Sequence, residues 1–205
     1  MIKIQHTAVE RELIPAGTHE ARCYSMIHFG TIPQEYKGER TYKNMIRIIF
    51  ELPNEQRVFK EENGLQPFSI GKDYTMSMYE KSTLRKDLEN WRGHKFSDDE
   101  LNGFEVSKLL GVSCMLTIVH AVSASGNTYA KIGSITGLPK GWEVRPQINP
   151  SYEFSVCEFD QDKFDLLATF YQDKIRSSKE YQALVLPHSD LTQNADFIDS
   201  HGVPF

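Results

Sequence analysis

The chain has 205 residues, 40% of them hydrophobic and 25% charged, with a formal net charge of −5. That composition belongs to a globular domain with its own core, not to a disordered or fibrous chain. It excludes a strongly basic nucleic-acid binder, and no stretch approaches the ~18 consecutive apolar residues of a membrane span.

The charge is unevenly spread. Residues 1–150 carry 19 Lys and Arg against 18 Asp and Glu, whereas residues 151–205 carry 4 against 10. A near-neutral body with local basic patches and an acidic C-terminal part is expected. The three cysteines, Cys23, Cys114 and Cys157, lie far apart with no C-x-x-C pair. Neither a disulfide framework nor a zinc knuckle is indicated, and the thiols suit a reducing cytoplasm. The first residues lack the apolar run of a signal peptide.

After a polar lead-in over residues 1–16, alternation over 18–29 places Ala21, Cys23, Ile27 and Phe29 on one face and predicts a strand. Residues 30–43, with Gly30, Pro33 and Gly38, read as a long loop rich in Tyr, Lys and Arg. A second strand is expected over 44–52, a polar loop or short hairpin over 53–66, and a third strand over 68–79. In that third strand Phe68, Ile70, Lys72, Tyr74, Met76 and Met78 share a face.

The period then changes. Ser82 suits an N-cap, and Leu84, Leu88 and Trp91 form one helical stripe that Gly93 ends. Ser97-Asp98-Asp99-Glu100 is a capping-box pattern, with Phe96 and Leu101 as a hydrophobic staple. A short helical turn over 104–110 follows. Strands over 112–122 and 128–136 flank the turn Ser125-Gly126-Asn127. Pro146 and Pro150 mark a linker, and a helix over about 160–175 has Phe164, Leu167, Tyr171 and Ile175 on one face.

Three strands, a helix and a hairpin is the element order of the five-stranded Greek-key OB-fold barrel. The expected fold is therefore mainly β: an OB-like barrel over residues 1–150 with a helix between strands 3 and 4. A helical appendage and acidic tail over 151–205 complete it. An α+β sandwich with the same elements is the rival.

The C-terminal run Gly202-Val203-Pro204-Phe205 follows a stretch whose only charges from Leu186 onward are Asp190, Asp196 and Asp199. It resembles the tail tip of bacterial single-stranded-DNA-binding proteins, although it lacks their adjacent Asp residues. The resemblance implies that Pro204 and Phe205 dock on a replication or recombination protein. Leu84-Arg85-Lys86-Asp87-Leu88-Glu89-Asn90-Trp91-Arg92-Gly93, Leu116-Thr117-Ile118-Val119-His120 and Leu138-Pro139-Lys140-Gly141 resemble a second group. These are bacteriophage and prophage proteins assigned to replication or single-stranded-DNA binding. The likeness implies a phage-encoded protein working in a bacterial cytoplasm.

A single-strand binder needs aromatic faces for bases and cations for phosphates. Candidate platforms are Tyr36, Tyr42, Tyr74, Tyr129 and Trp142; candidate phosphate contacts are Lys37, Arg40, Lys43, Arg47, Lys72, Lys131 and Lys140. Tyr74 is equally consistent with core, and Trp91 reads as a core plug. There is no Walker-type loop and no H-E-x-x-H, and the seven His show no ligand spacing. No catalytic residue, metal or cofactor is expected. The sequence thus points to non-sequence-specific single-stranded-DNA binding in phage replication or recombination, by a chain that could self-associate. A protein-interaction module and a strand-annealing recombination protein remain open.

Overall fold

The computed structural model describes residues 12–36, 38–143 and 145–186, with the side chain of Tyr36 left out. Its dominant feature is a long antiparallel hairpin. Strand β1 (Gly17–Tyr36) and strand β2 (Glu39–Val58) have 20 residues each. They pair from Arg22↔Glu51 to Tyr36↔Glu39, and Gly38 takes the turn at φ 81°.

Residues 30–43, expected as a loop, are thus a two-stranded arm. Gly30 and Pro33 mislead as breakers. Gly30 sits at φ 82° on a bulge between His28 and Gly30, where an added Cβ would meet Val156 Cγ1 at 2.7 Å. Pro33 lies beyond residues 25–28, the last of β1 to pair with anything but β2, so its missing N–H leaves no ladder partner wanting on the free edge. The polar stretch after residue 52 is also paired. Strand β2 continues through a bulge between Leu52 and Gln56 to Val58, opposite Leu65. Strand β3 (Leu65–Thr75) follows a 3-10 turn at Glu61–Asn63.

The helical signals between residues 82 and 110 are local and hold as expected. Helix α1 (Thr83–Arg92) is capped by Ser82 Oγ, which accepts from Arg85 N at 3.2 Å, and Gly93 closes it in the left-handed region. Helix α2 (Asp98–Leu101) carries the complete Ser97/Glu100 capping box. A 3-10 turn spans Val106–Leu109. Strands β4 (Ser113–Val122) and β5 (Thr128–Thr136) then form a hairpin.

The antiparallel strand order is β3-β2-β1-β4-β5. The inner face packs Ala21, Cys23, Ile48, Phe50, Leu116 and Ile135 against Leu84, Leu88 and Trp91 of α1. The Trp91 ring lies 5.4 Å from that of Phe50, and its indole N–H donates to Ser113 O at 2.9 Å. The two edge strands, β3 and β5, approach each other, but no ladder joins them among the described residues. The observed architecture is therefore a β-rich open sheet with a few helices.

Described residues between 145 and 186 cover the opposite face of the sheet. Strand β6 (Tyr152–Ser155) joins as a parallel neighbour of β1, pairing Ser25↔Tyr152 through His28↔Ser155. The helix expected over 160–175 is two short helices, α3 (Gln161–Leu166) and α4 (Thr169–Arg176), and α5 (Lys179–Val185) follows. Ile27, Phe29, Ile49, Phe154, Phe164 and Ile175 form a second core there. The residues between Pro146 and Pro150 are anchored, not a free linker. Glu51, fully buried, accepts hydrogen bonds from Ile148 N, Asn149 N and Asn149 Nδ2 at 2.7, 2.8 and 2.7 Å. At the far end Glu180 accepts from Thr31 N and Thr31 Oγ1 at 2.6 and 2.7 Å. Residues on both sides of the expected boundary at 150 thus share one sheet and one core. Among the described residues no helix is long and apolar enough to cross a membrane.

Candidate nucleic-acid interface

Three of the residues expected to touch a single strand are used internally. Tyr74 is 2% exposed and its hydroxyl donates to Asp87 Oδ2 at 2.9 Å. Burial, with the Asp87 charge beside it, pushes the phenol far above its ordinary range. A sealed ring offers no face to a base, so Tyr74 is a core residue and not a platform. Lys72 donates to the same Asp87 oxygen at 2.6 Å, which corrects its reading as a phosphate contact.

Arg47, a candidate phosphate contact, lies on the face of β2 opposite the inner core. That face is roofed by α4. Its guanidinium donates to Asp73 Oδ1 at 2.5 Å and lies 5.6 Å from the Tyr171 ring centroid. Gly71 makes the room, since a Cβ there would come within 2.6 Å of Arg47 Nε. Lys174 binds the other Asp73 oxygen at 2.8 Å. Burial alone would raise the Asp73 pKa, but the Lys174 hydrogen bond and the Arg47 charge outweigh it and hold the carboxyl below its ordinary value. Arg47 and Lys174 thus share one carboxylate, which holds the guanidinium under α4.

The arm carries a second set. Tyr42 is 45% exposed. The Arg40 guanidinium lies 5.5 Å from its ring centroid and Lys179 Nζ lies 4.2 Å from it. Two cations on one half-exposed ring is the arrangement that sequence reading missed. Lys179 comes from α5, far along the chain, and no local pattern could pair it with Tyr42. Arg40 and Lys43 are exposed. Lys43 sits opposite Ile32, whereas Tyr42 sits opposite Pro33, so their side chains leave opposite faces of the arm.

A third set lies on the outer face of β4 and β5. Tyr129, 44% exposed, pairs with Ala121, and the exposed Lys131 pairs with Val119. Trp142 is 52% exposed, and its indole N–H donates to Glu20, itself paired with Met115. Thr136 pairs with the same Met115, which places Trp142 about 20 Å from Tyr129 along the strand direction. Lys140 is exposed nearby in sequence.

The two exposed sets do not meet. Gly17 pairs with Ile118 beside the β4–β5 set, whereas Pro33 pairs with Tyr42. These positions are about 50 Å apart along the strand path. Among the described residues the two exposed sets are therefore separate patches. The Tyr36 side chain, Lys37, Pro204 and Phe205 lie outside the described residues. Among the described residues no cluster of His, Cys, Asp and Glu could hold a metal ion. No protein-family model matches the chain, and a search of curated proteins finds none similar to it.

Proposed function

We propose that the protein binds single-stranded DNA without sequence preference, through the β1–β2 arm. The observation that carries this reading is the half-exposed Tyr42 ring flanked by Arg40 and Lys179. A base stacked on such a ring gains about 1–3 kcal/mol, and a cation that it displaces from over the ring is free to meet the phosphates. Strand order β3-β2-β1-β4-β5, with α1 between β3 and β4, supports an OB-type barrel closed where β3 and β5 approach. In such barrels the outer face of the second and third strands holds the ligand. Here residues 145–186 occupy much of that face, which shifts the contact to the arm. Tyr129, Lys131, Lys140 and Trp142 form a separate, weaker patch under the same reading.

The deciding experiment is a fluorescence-anisotropy titration of the full chain with an oligothymidylate. Binding that weakens with salt at a slope of about −0.7 per neutralised phosphate supports the reading. No binding at micromolar protein and low salt removes it. Recruitment of a replication or recombination protein, in the cytoplasm of a phage-infected bacterium, would fall to Pro204 and Phe205. Removing residues 203–205 should then leave DNA affinity unchanged and abolish partner recovery.

A second reading is a protein-interaction module. Leu166 and Phe170, 78% and 60% exposed on α3 and α4, favour it. Under that reading Leu166→Asp with Phe170→Asp weakens partner binding, while the arm can be altered without consequence.

A further inference from the structure

Strand β3 covers only part of β2. Its pairing stops at Met45↔Thr75, and Met76 N then donates to Asn44 O at 2.8 Å. Residues 77–79 form no strand. Residues 39–43 therefore pair with β1 alone among the described residues, and all of them are exposed. In an antiparallel ladder the N–H and C=O of one residue point to the same edge, and successive residues alternate between edges. The Asn44 carbonyl faces the β3 side, so the main-chain groups of Arg40 and Tyr42 face that side too.

The other edge of the arm is closed. Asn44 pairs with Thr31, so Thr31 turns its own main chain outward on the β1 side. Its N–H is taken by Glu180 Oε2 at 2.6 Å. Pro33 is the next outward position and has no N–H to give. Only Glu35 keeps an outward N–H before the turn. An uncovered strand edge is a template for another strand, and proteins blunt the edges that are not meant to pair. Here the β1 edge is blunted and the β2 edge is left open.

We propose that the β2 edge of the arm is a dimer interface, pairing antiparallel with the same edge of a second copy. Such an interface is isologous, so each residue meets its partner twice about a two-fold axis. The main chain restricts the register, because outward-facing residues must meet outward-facing residues. Arg40 opposite the partner's Arg40 sets like charges face to face, which is unfavourable. Tyr42 opposite the partner's Tyr42 would set Arg40 against the partner's Asn44, whose carbonyl already serves Met76. The remaining register places Arg40 opposite the partner's Tyr42. It also places Glu39 opposite the partner's Lys43, and Thr41 on the axis opposite the partner's Thr41. Opposite charges and paired threonines are both favourable cross-strand neighbours. The edge is thus complementary to itself in main chain and in charge, and the pairing does not rest on DNA binding.

The test is sedimentation velocity of the full chain without DNA, from low to high micromolar protein. A monomer–dimer equilibrium in that range is expected, as suits a small interface. Glu39→Lys sets like charges opposite each other twice and should weaken dimerisation about tenfold. Lys43→Glu should do the same, and the two exchanges together should restore the dimer. A Thr41→Cys chain, with the exposed Cys157 changed by Cys157→Ser, should form a disulfide-linked dimer on mild oxidation. At that position the two Cα atoms would lie about 4.5 Å apart, within the reach of a disulfide. Glu35→Cys in the same background, on the closed edge, should link roughly tenfold more slowly. Three results would overturn the proposal: a monomer at high micromolar protein, a dimer of equal strength in both charge-reversed single variants, or equal linking at positions 41 and 35.

Discussion

Asn149 presents both its backbone N–H and its side-chain amide to the buried carboxylate of Glu51, at 2.8 and 2.7 Å. With Ile148 N the carboxylate has three donors among the described residues, and it ties the segment around 148–149 to the middle of β2. Replacing Glu51 with Ala leaves those donors unmatched in the interior. A buried donor without an acceptor costs about 1–3 kcal/mol. The Glu51→Ala chain should lose about 3 kcal/mol of stability and melt roughly 6–12 °C lower. Chemical denaturation checks this; an unchanged midpoint would show that the anchor is incidental.

Ile175 is fully buried in the second core, against β1. Ile175→Ala should cost about 2–5 kcal/mol, the usual range for a large buried aliphatic. A chain ending at residue 141 would expose Ile27, Phe29 and Ile49 together. Each such side chain is worth about 1.5–3 kcal/mol on burial. That truncated chain should not unfold cooperatively as a monomer. A sharp two-state thermal transition for it would show that the covering segment is dispensable.

Acid should unlock the Asp73 cluster. Asp73 has a folded-state pKa below its ordinary 3.8 because Lys174 and Arg47 favour the carboxylate against the cost of burial. The unfolded chain therefore takes up this proton first as pH falls. The stabilisation is fully present above 3.8 and is lost as pH drops through the folded value. Glu100 follows the same sign, held at about 2 by Arg92 and by Ser97 N. The stability gap between wild type and Asp73→Asn should be constant near neutrality and close below pH 3.8. A gap that persists unchanged into that acid range would count against the cluster.

On the arm, Tyr42→Ala should weaken oligothymidylate binding by about tenfold, within the 1–3 kcal/mol that stacking contributes. Removing Arg40 or Lys179 should flatten the salt slope by about 0.7 each. Lys72→Ala should leave the slope untouched, because Lys72 is already paired with Asp87. An unaltered affinity for Tyr42→Ala, with binding intact, would move the contact to the Tyr129–Trp142 patch.

Much of this was legible along the chain. The Ser82 cap, the Ser97/Glu100 box, the Leu84/Leu88/Trp91 stripe and the alternation in β1 to β5 are each set by neighbours a few residues apart. Backbone capping, helical period and strand period act over that distance, so local sequence determined the inner core and the order of elements. What the chain does with its surface was decided elsewhere. The pairing of residues 30–43, the roof over Arg47, the sealing of Tyr74 by Asp87 and the seat of Lys179 on Tyr42 all join positions brought together only by folding. A cation on an alternating strand reads the same whether it faces water or a carboxylate carried by another element. The tertiary structure alone chose between them, because burial and charge pairing depend on distance in space and not on separation along the chain.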